Sequence, residues 1–417
     1  MNKSTEVEDR RVDRAPRAEG AGLAPRGGRA GGVGHDGPAR RGGPAPWGER
    51  AERIGRVWHV GPAGLLAALG ACAVLLALLD IAIGSVRIPL AEVWKTLVGR
   101  APRPEWATII FVFRLPKMLT AVLAGASLSV AGLVLQSIFR NPLAAPDSLG
   151  IGAGASIGVA VLMFAGGALG AVGAGAQGIG TQGSAILGNL PPLGYTLLVI
   201  AASVGAAMVL VIILLISRKF EQVVTVLIMG LLVGYLTSSL VSLLVYFGSP
   251  QKVQLYLSWT YGSFGGVRMK ELPYLTGAAF IGLALAVGHM KALNAFLIGE
   301  RFASTIGIRV RASRTRLLIA ASILAGSVTA FCGPIAFLGI AAPHAARILS
   351  RSAEHRILLP TTALSGICLA LLADILSALP GYGAVLPINP LLALIGSPII
   401  ISMFFRRDRA ALPEEMA

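Results

Sequence analysis

The residues best placed for chemistry form a polar, basic segment between two long apolar stretches. This segment runs from Leu293 to Arg316, and its single glutamate, Glu300, is followed by several arginines. Clustered charges of this kind favour electrostatic contact with another protein. The pattern therefore predicts a docking site for a soluble partner.

Other polar candidates are isolated and predict no metal site. His344 and His289 each lie near the end of an apolar segment, without a second histidine or a carboxylate at ligand spacing. Capping or loop anchoring is the favoured role for both. Cys72, Cys332 and Cys368 sit in or beside apolar segments, which argues against disulfides and metal ligation. We expect neither a metal nor another cofactor.

Asp374 is the one acid well inside a late apolar segment. An ionised group at membrane depth is a functional candidate by default, although it could equally bond to a neighbouring helix. No lysine ends a G-x-x-x-x-G-K-[ST] loop, the pattern that binds ATP phosphates. The chain is therefore predicted not to be an enzyme, and any ATP hydrolysis must come from another chain.

The elements that position these residues are predicted to be membrane helices. The 417 residues are 55% hydrophobic and 13% charged, with a mean hydropathy of +0.74, whereas about a quarter of the residues in soluble domains are charged. Continuous apolar runs, without strand-like alternation, predict helices that cross a bilayer rather than a barrel. Ten segments qualify: Pro62 to Ile83, Leu115 to Ile138, Ser148 to Leu169, Gly194 to Ile216, Val223 to Phe247, Pro273 to Met290, Arg316 to Phe331, Pro334 to Leu349, Leu358 to Leu379 and Pro390 to Phe405.

The distribution of Lys and Arg favours both termini in the cytoplasm. With that orientation, most basic loops are cytoplasmic, and the outer loops around 173–188 and 380–390 have no basic residue. The loop after the first span contradicts the rule, because it holds Arg87, Lys95, Arg100, Arg103, Arg114 and Lys117. These residues could be interface anchors or a docking surface for an acidic partner, and the residues alone leave both readings open.

Residues 1–58 differ in composition from the rest of the chain. They are rich in Arg, Gly, Pro and Ala and have no hydrophobic period, which predicts a disordered cytoplasmic tail. Its arginines could contact anionic lipid, and nucleic-acid binding is disfavoured. Residues 59–406 then form the transmembrane domain, with a cytoplasmic loop at 293–316, and 407–417 form a second cytoplasmic tail. The Gly-rich loop at 166–194 has no assigned role.

The chain contains an internal repeat at a constant offset. Leu123-Ala124-Gly125 recurs as Leu324-Ala325-Gly326, Gly132 as Gly333, and Pro142 as Pro343. Coincidence is the alternative, since Gly and Ala are abundant. An odd number of spans separates the copies, which predicts an inverted repeat of the kind found in alternating-access transporters.

A string of motifs covering roughly residues 60 to 406 resembles one family. The motifs are Phe113-Arg114-Leu115-Pro116-Lys117, Leu135 to Pro146 (LQSIFRNPLAAP), Trp259 to Phe264 (WTYGSF), Leu297-Ile298-Gly299-Glu300, Gly333 to His344 (GPIAFLGIAAPH), Leu386 to Pro390 (LPINP) and Gly396-Ser397-Pro398. Together they closely resemble the permeases of FecCD-type ABC importers, which take up iron-siderophores, haem and cobalamin.

The resemblance implies a ten-helix permease of the bacterial cytoplasmic membrane. Such a permease pairs with a second copy of itself and with two ATP-binding ABC subunits, and it receives a chelate from an extracytoplasmic substrate-binding protein. Carried over residue by residue, the resemblance implies ATPase coupling by Leu297, Gly299, Glu300, Arg301 and Ala303, a translocation path narrowed by Asn141, Leu143, Val223 and Val224, and binding-protein docking by Arg114 and Lys117. The remaining motif positions are structural: Trp259, Gly262, Gly333, Pro334, Gly339, Pro343, His344 and Asp374.

Two positions depart from the family pattern. Lys117 stands where the family usually has Arg, so the charge is kept but the planar fork is lost. Val223 and Val224 are apolar where relatives can be polar, which predicts a seal that works by dewetting.

The predicted function is passage of an iron chelate, either a siderophore or haem, through an ATP-driven importer. Cobalamin import is the alternative within the family, and an ion-coupled secondary transporter is the alternative outside it. The polar motifs disfavour a membrane scaffold without transport. No residue pattern separates an iron chelate from haem or a corrinoid.

Overall fold

The computed structural model describes residues 61–84, 88–100, 103–165, 192–220, 222–378 and 386–411, and all their regular elements are helical. The α-helices are α1 (Pro62–Ala82), α2 (Leu90–Leu97), α3 (Pro104–Phe139), α4 (Ile151–Ala160), α5 (Pro192–Lys219), α6 (Val223–Tyr246), α7 (Pro250–Thr260), α8 (Leu272–Gly288), α9 (Met290–Ile298), α10 (Glu300–Thr305), α11 (Val310–Cys332), α12 (Leu338–Ser350), α13 (His355–Ala378) and α14 (Ile388–Ala411). A π-helical turn, Ile109–Arg114, lies within α3, and a 3-10 turn, Pro146–Leu149, precedes α4.

Within these described residues, six helices are long and apolar enough to cross a membrane: α1, α3, α5, α6, α11 and α13. The pair α8 and α9, bent by 55°, makes a seventh if it forms one span. Two shorter apolar helices, α4 and α14, and the Pro-containing α12 occupy the remaining predicted segments. The described parts of all ten predicted segments therefore lie mostly on helices, which confirms an all-α integral membrane protein.

The long helices differ in how much of their surface is buried. Most residues of α3, α11 and α13 are buried, whereas α1, α5 and α6 expose the greater part of theirs. Helix α5 exposes Ile200, Val204, Met208, Val211 and Leu215. Because a helix that is apolar on its exposed face suits a hydrocarbon environment, α5 lies at the lipid-facing periphery and α3, α11 and α13 form the centre.

The packing follows the internal repeat. Helix α3 packs against α13 as α11 packs against α5, and α4 packs against α5 as α12 packs against α13. These pairs correspond to each other if α3, α4 and α5 are the counterparts of α11, α12 and α13. The contacts agree with the predicted inverted repeat.

Glycine sets the closest helix contact. A Cβ at Gly132 of α3 would overlap the backbone carbonyl of Gly339 in α12, so the two backbones touch directly. Such close approach is a common basis of helix association in membranes.

The predicted tail at 1–58 and most of the Gly-rich loop at 166–194 lie outside the described residues and stay predictions. The predicted boundary at 406 falls inside a helix, because α14 continues to Ala411.

Candidate functional site

The predicted docking segment forms two short helices joined by a glycine. Helix α9 ends at Ile298, and α10 begins at Glu300. Gly299 between them has a φ of 149°, a conformation that L side chains rarely adopt. The Arg140 guanidinium lies 3.7 Å from the position that a Cβ of Gly299 would take. Glycine therefore gives the corner its backbone shape.

An ion pair ties α10 to the long helix α11. The Glu300 carboxylate accepts a hydrogen bond from the guanidinium of Arg314, which is buried on α11. Ala303 is fully buried, and its carbonyl accepts a hydrogen bond from the Ile308 backbone N–H at 3.0 Å. The ion pair therefore connects α10 directly to a helix at the centre of the bundle.

The outer face of α9 and α10 is apolar and exposed. Leu297 is 39% exposed and Ile298 65%, and Phe302 and Ile306 are similarly uncovered. Arg301 is exposed beside them. An apolar patch with charged neighbours is typical of a protein interaction surface.

A buried histidine joins α9 to two core helices. His355, the first residue of α13, is fully buried. Its Nδ1 lies 2.7 Å from Asn294 Oδ1 on α9, and its Nε2 lies 2.7 Å from Ser137 Oγ on α3. Because an amide oxygen can only accept, Nδ1 donates to Asn294. The Ser137 hydroxyl lies 2.7 Å from Nε2 and 2.9 Å from the Leu133 carbonyl oxygen, so it connects the ring to the backbone of α3.

Sequence reasoning missed this histidine link. His355 is one polar residue at the start of an apolar segment, and its two partners lie far away in the sequence. The only signal was that the docking segment includes Asn294.

Three structural motifs, far apart in sequence, meet at one junction. The Ser263 backbone N–H donates to the carbonyl of Cys332 at 2.8 Å, next to Gly333. Gly333 has a φ of 76°, and a Cβ there would overlap the Trp259 carbonyl. Asn389 donates to the carbonyl of Pro334 at 2.7 Å and accepts from the backbone N–H of Ala336 at 2.8 Å.

The contacts at this junction give the motif residues a structural role. Trp259 is buried there, and Gly262 has a φ of 72° with its Cβ position 3.2 Å from the Pro334 carbonyl. The motif residues Gly339, Pro343 and His344 lie on α12, where the Gly339 carbonyl accepts from Gln136 at 3.2 Å.

The structure corrects the placement of Arg114 and Lys117. Both were predicted in an outer loop, but they lie within α3, because this helix begins at Pro104, well before the apolar run. The Arg114 guanidinium is buried and donates to the carbonyls of Ile81 and Ala82 at the end of α1, at 2.6 and 3.0 Å. A cation at a helix C-terminus satisfies carbonyls that have no partner within that helix.

Lys117 forms an ion pair with the acid that looked isolated in the sequence. Its Nζ lies 2.9 Å from Oδ1 of Asp374, which is fully buried on α13. Asp80 of α1 belongs to the same cluster. The cluster thus links α1, α3 and α13, and binding-protein docking by Arg114 and Lys117 stays a prediction.

The predicted gate residues lie at the ends of helices. Asn141 follows α3, and its side-chain oxygen accepts from the Leu143 backbone N–H at 3.0 Å. Leu143 and Val224 are exposed, by 41% and 63%. Val223 begins α6 as predicted, and its side chain lies outside the described set. Narrowing of a path by these residues stays a prediction.

The fold and these features define a class, the multi-pass helical membrane permease. Residues 72–406 match the model of the FecCD transport family, and the chain belongs to that family. It is 30% identical to the hemin transport permease HmuU of Yersinia pestis, over 80% of this chain and 93% of the relative.

Two further likenesses agree with this membership. The vitamin B12 import permease BtuC of Escherichia coli is 30% identical, over 76% of this chain and 90% of the relative. A solved metal-chelate-type ABC transporter in an inward-facing conformation superposes with a TM-score of 0.68 at 26% identity, covering 82% of this chain and 98% of that one.

Proposed function

We propose that this chain is the permease subunit of an ATP-driven importer that moves an iron chelate across the bacterial inner membrane. The observation that carries the proposal is the pair α9 and α10, whose exposed apolar face is connected to the core by the Glu300 and Arg314 ion pair and by His355. A separate ATPase docking there could move the central helices. The family membership and the relatives that transport hemin support the same proposal.

The assembly is proposed to contain two copies of this chain, two ATP-binding subunits and an extracytoplasmic binding protein. Both termini of the permease lie in the cytoplasm in this proposal. ATP binding by the partners closes them, α9 and α10 move with them, and the helices around the path alternate between outward and inward states. Weak binding along the path then permits release of the chelate.

The likeness to a vitamin B12 permease makes cobalamin the alternative cargo. The buried cluster of Asp80, Lys117 and Asp374 favours one candidate from another class, an ion-coupled transporter, since ionisable groups at membrane depth often mark ion pathways.

The test is uptake into vesicles that contain this permease with the proposed ATPase and binding protein. Labelled ferric siderophore, hemin and cobalamin are offered with and without ATP. We expect ATP-dependent uptake of an iron chelate. Uptake that continues without ATP but stops when the ion gradient is dissipated would instead identify an ion-coupled transporter.

A further inference from the structure

A cavity whose surface is mainly apolar but carries several hydroxyl groups lies between α4, α6 and α7. Its volume is about 540 Å³, and five of its lining residues carry hydroxyl groups: Ser156, Ser238, Ser242, Tyr246 and Tyr256. The other described lining residues, Val241, Val245 and Leu257, are apolar. The cavity thus combines an apolar wall with several hydrogen-bonding groups, as ligand sites generally do.

Three of the hydroxyl groups form one stripe along α6. Ser238, Ser242 and Tyr246 are spaced four residues apart, which places them on the same face of the helix. The Ser242 hydroxyl donates to the Ser238 carbonyl at 3.0 Å, so its oxygen remains able to accept. Tyr246 is 81% exposed.

The stripe distinguishes α6 from the lipid-facing helix α5. Between Ile200 and Leu215, the exposed large residues of α5 are aliphatic side chains and Met208, whereas the exposed face of α6 includes hydroxyl groups. Hydroxyl groups lose hydration if they face hydrocarbon without partners. The stripe of α6 is better explained by a hydrated space, such as a translocation path.

The cavity wall opposite α6 includes Tyr256, whose ring and hydroxyl group are fixed by three contacts. Its ring centroid lies 5.9 Å from that of Phe164 and 6.2 Å from that of the buried Trp259. The Ser156 side chain forms a hydrogen bond with its phenol. Burial raises the pKa of Tyr256, so the phenol stays neutral. The WTYGSF motif therefore also supports one wall of this cavity.

The described lining contains no Lys, Arg, His, Asp or Glu. An anionic ligand would lose hydration in the cavity without gaining a cationic partner, which is costly in an apolar setting. A neutral ligand with polar groups at its periphery loses much less, because hydroxyl groups can replace its bonds to water. The lining therefore favours neutral ligands over anionic ones.

Building on the permease function proposed above, we propose that this cavity is a subsite for an uncharged chelate with amide or hydroxamate oxygens at its periphery, such as a neutral ferric trihydroxamate. The serine and tyrosine hydroxyl groups bond to those oxygens, and Val241, Val245 and Leu257 contact the carbon framework. Tricatecholate chelates and hemin carry negative charges that the subsite does not compensate.

The first test compares labelled cargoes in vesicles that contain the complete importer. The probes are a neutral ferric trihydroxamate, an anionic ferric tricatecholate, hemin and cyanocobalamin. We expect ATP-dependent uptake of the neutral trihydroxamate at least about tenfold above the two anionic probes. Equal or better uptake of an anionic probe, or ATP-dependent uptake of cyanocobalamin alone, would overturn the subsite but leave an ATP-driven importer in place. No ATP-dependent uptake of any probe would overturn the proposed function and the subsite together.

The second test uses the serine pair and a neighbour on the same helix. Ser238→Ala combined with Ser242→Ala should lower trihydroxamate uptake about threefold to tenfold, the effect of losing one or two hydrogen bonds. Ser239→Ala is the matched control, because Ser239 is exposed on α6 but bonds to the Tyr235 carbonyl and does not line the cavity. Tyr246→Phe, at an exposed position, provides a second variant that should fold normally. If these variants transport as well as Ser239→Ala does, the subsite is wrong.

Discussion

Glu300 and Arg314 differ sharply in how far each can adapt to the loss of the other. The Arg314 side chain is 6% exposed, whereas that of Glu300 is 31% exposed. A buried charge that loses its partner cannot regain its hydration. The pair is therefore sensitive to substitution at Glu300, although Glu300 lies near the surface.

Glu300→Arg should leave the permease inserted but reduce uptake by about tenfold or more, because two cations would then face each other at the root of α10. Uptake per ATP hydrolysed in vesicles is the measurement. The exchange Glu300→Arg with Arg314→Glu should recover part of the coupling. Normal uptake by the single variant would refute the coupling role.

Lys117 and Asp374 illustrate a pairing that the sequence does not reveal. Lys117 lies next to the RLP motif and Asp374 lies in a distant helix, so neither residue indicates the other. The hydropathy pattern also fails here, since it begins the second span at Leu115, whereas the helix itself begins at Pro104. The helix turns these charges inward, where another helix supplies the counter-ion.

Lys117→Met should destabilise the protein by about 3–5 kcal/mol, because it leaves Asp374 buried without a counter-ion. Thermal unfolding in detergent is the measurement, and adding Asp374→Leu should restore much of the lost stability. Lys95→Met is the matched control. The Lys95 and Glu92 pair is largely exposed on the lysine side, and its loss should cost less than about 1 kcal/mol. Equal melting temperatures for Lys117→Met and Lys95→Met would contradict a structural role for the Lys117 and Asp374 pair.

At the level of elements, α9 is connected to the core by direct polar bonds as well as by its apolar contacts. The Asn294, His355 and Ser137 series crosses from α9 through the start of α13 to α3. The His355 backbone N–H also donates to Asn294 Oδ1 at 2.9 Å. Asn294 thus caps the beginning of α13 while it bonds to the histidine ring, so α9 and α13 should move as one unit.

His355→Phe should keep the ring volume but remove both side-chain bonds. We expect more ATP hydrolysed per chelate transported, with unchanged binding of the ATPase, because the docking face itself is untouched. His355→Gln, which can reproduce one bond, should recover part of the coupling. His289→Phe is the control, since the side-chain bond of His289 within the described part of the chain goes to the Leu285 carbonyl, four residues earlier. If His355→Phe and the control hydrolyse the same amount of ATP per chelate transported, the bonds of His355 have no role in coupling.

For the whole molecule, the face of α6 that carries the hydroxyl stripe is the proposed side for the second copy. Tyr235 lies on the stripe face of α6 and is exposed by 62%, and Val204 is equally exposed, by 62%, on α5. In a cysteine-free background, Tyr235→Cys should cross-link two copies in membranes and Val204→Cys should not. Gel electrophoresis of oxidised membranes measures this. The reverse pattern would place the second copy against α5.

The sequence predicts the positions of the apolar helices well, because the apolar length required to cross a bilayer is a local property. The motif around Gly299 was visible in the sequence because it is short and continuous, but the corner between α9 and α10 was not. The histidine link and the hydroxyl-lined cavity could not be predicted, because both combine single polar residues from three helices. The junction of Trp259, Gly333 and Asn389 was visible only as separate motifs whose contacts depend on the fold.

The ion pair between Lys117 and Asp374 has a consequence for how the chain enters the membrane during synthesis. Helix α13 leaves the ribosome long after α3, and it carries a carboxylate that is costly to place in lipid alone. We expect α13 to leave the insertion machinery for the lipid only when it packs against α3, whose Lys117 compensates that charge. The pair would then serve as a checkpoint in biogenesis, and chains that fail to form it would be exposed to membrane proteases.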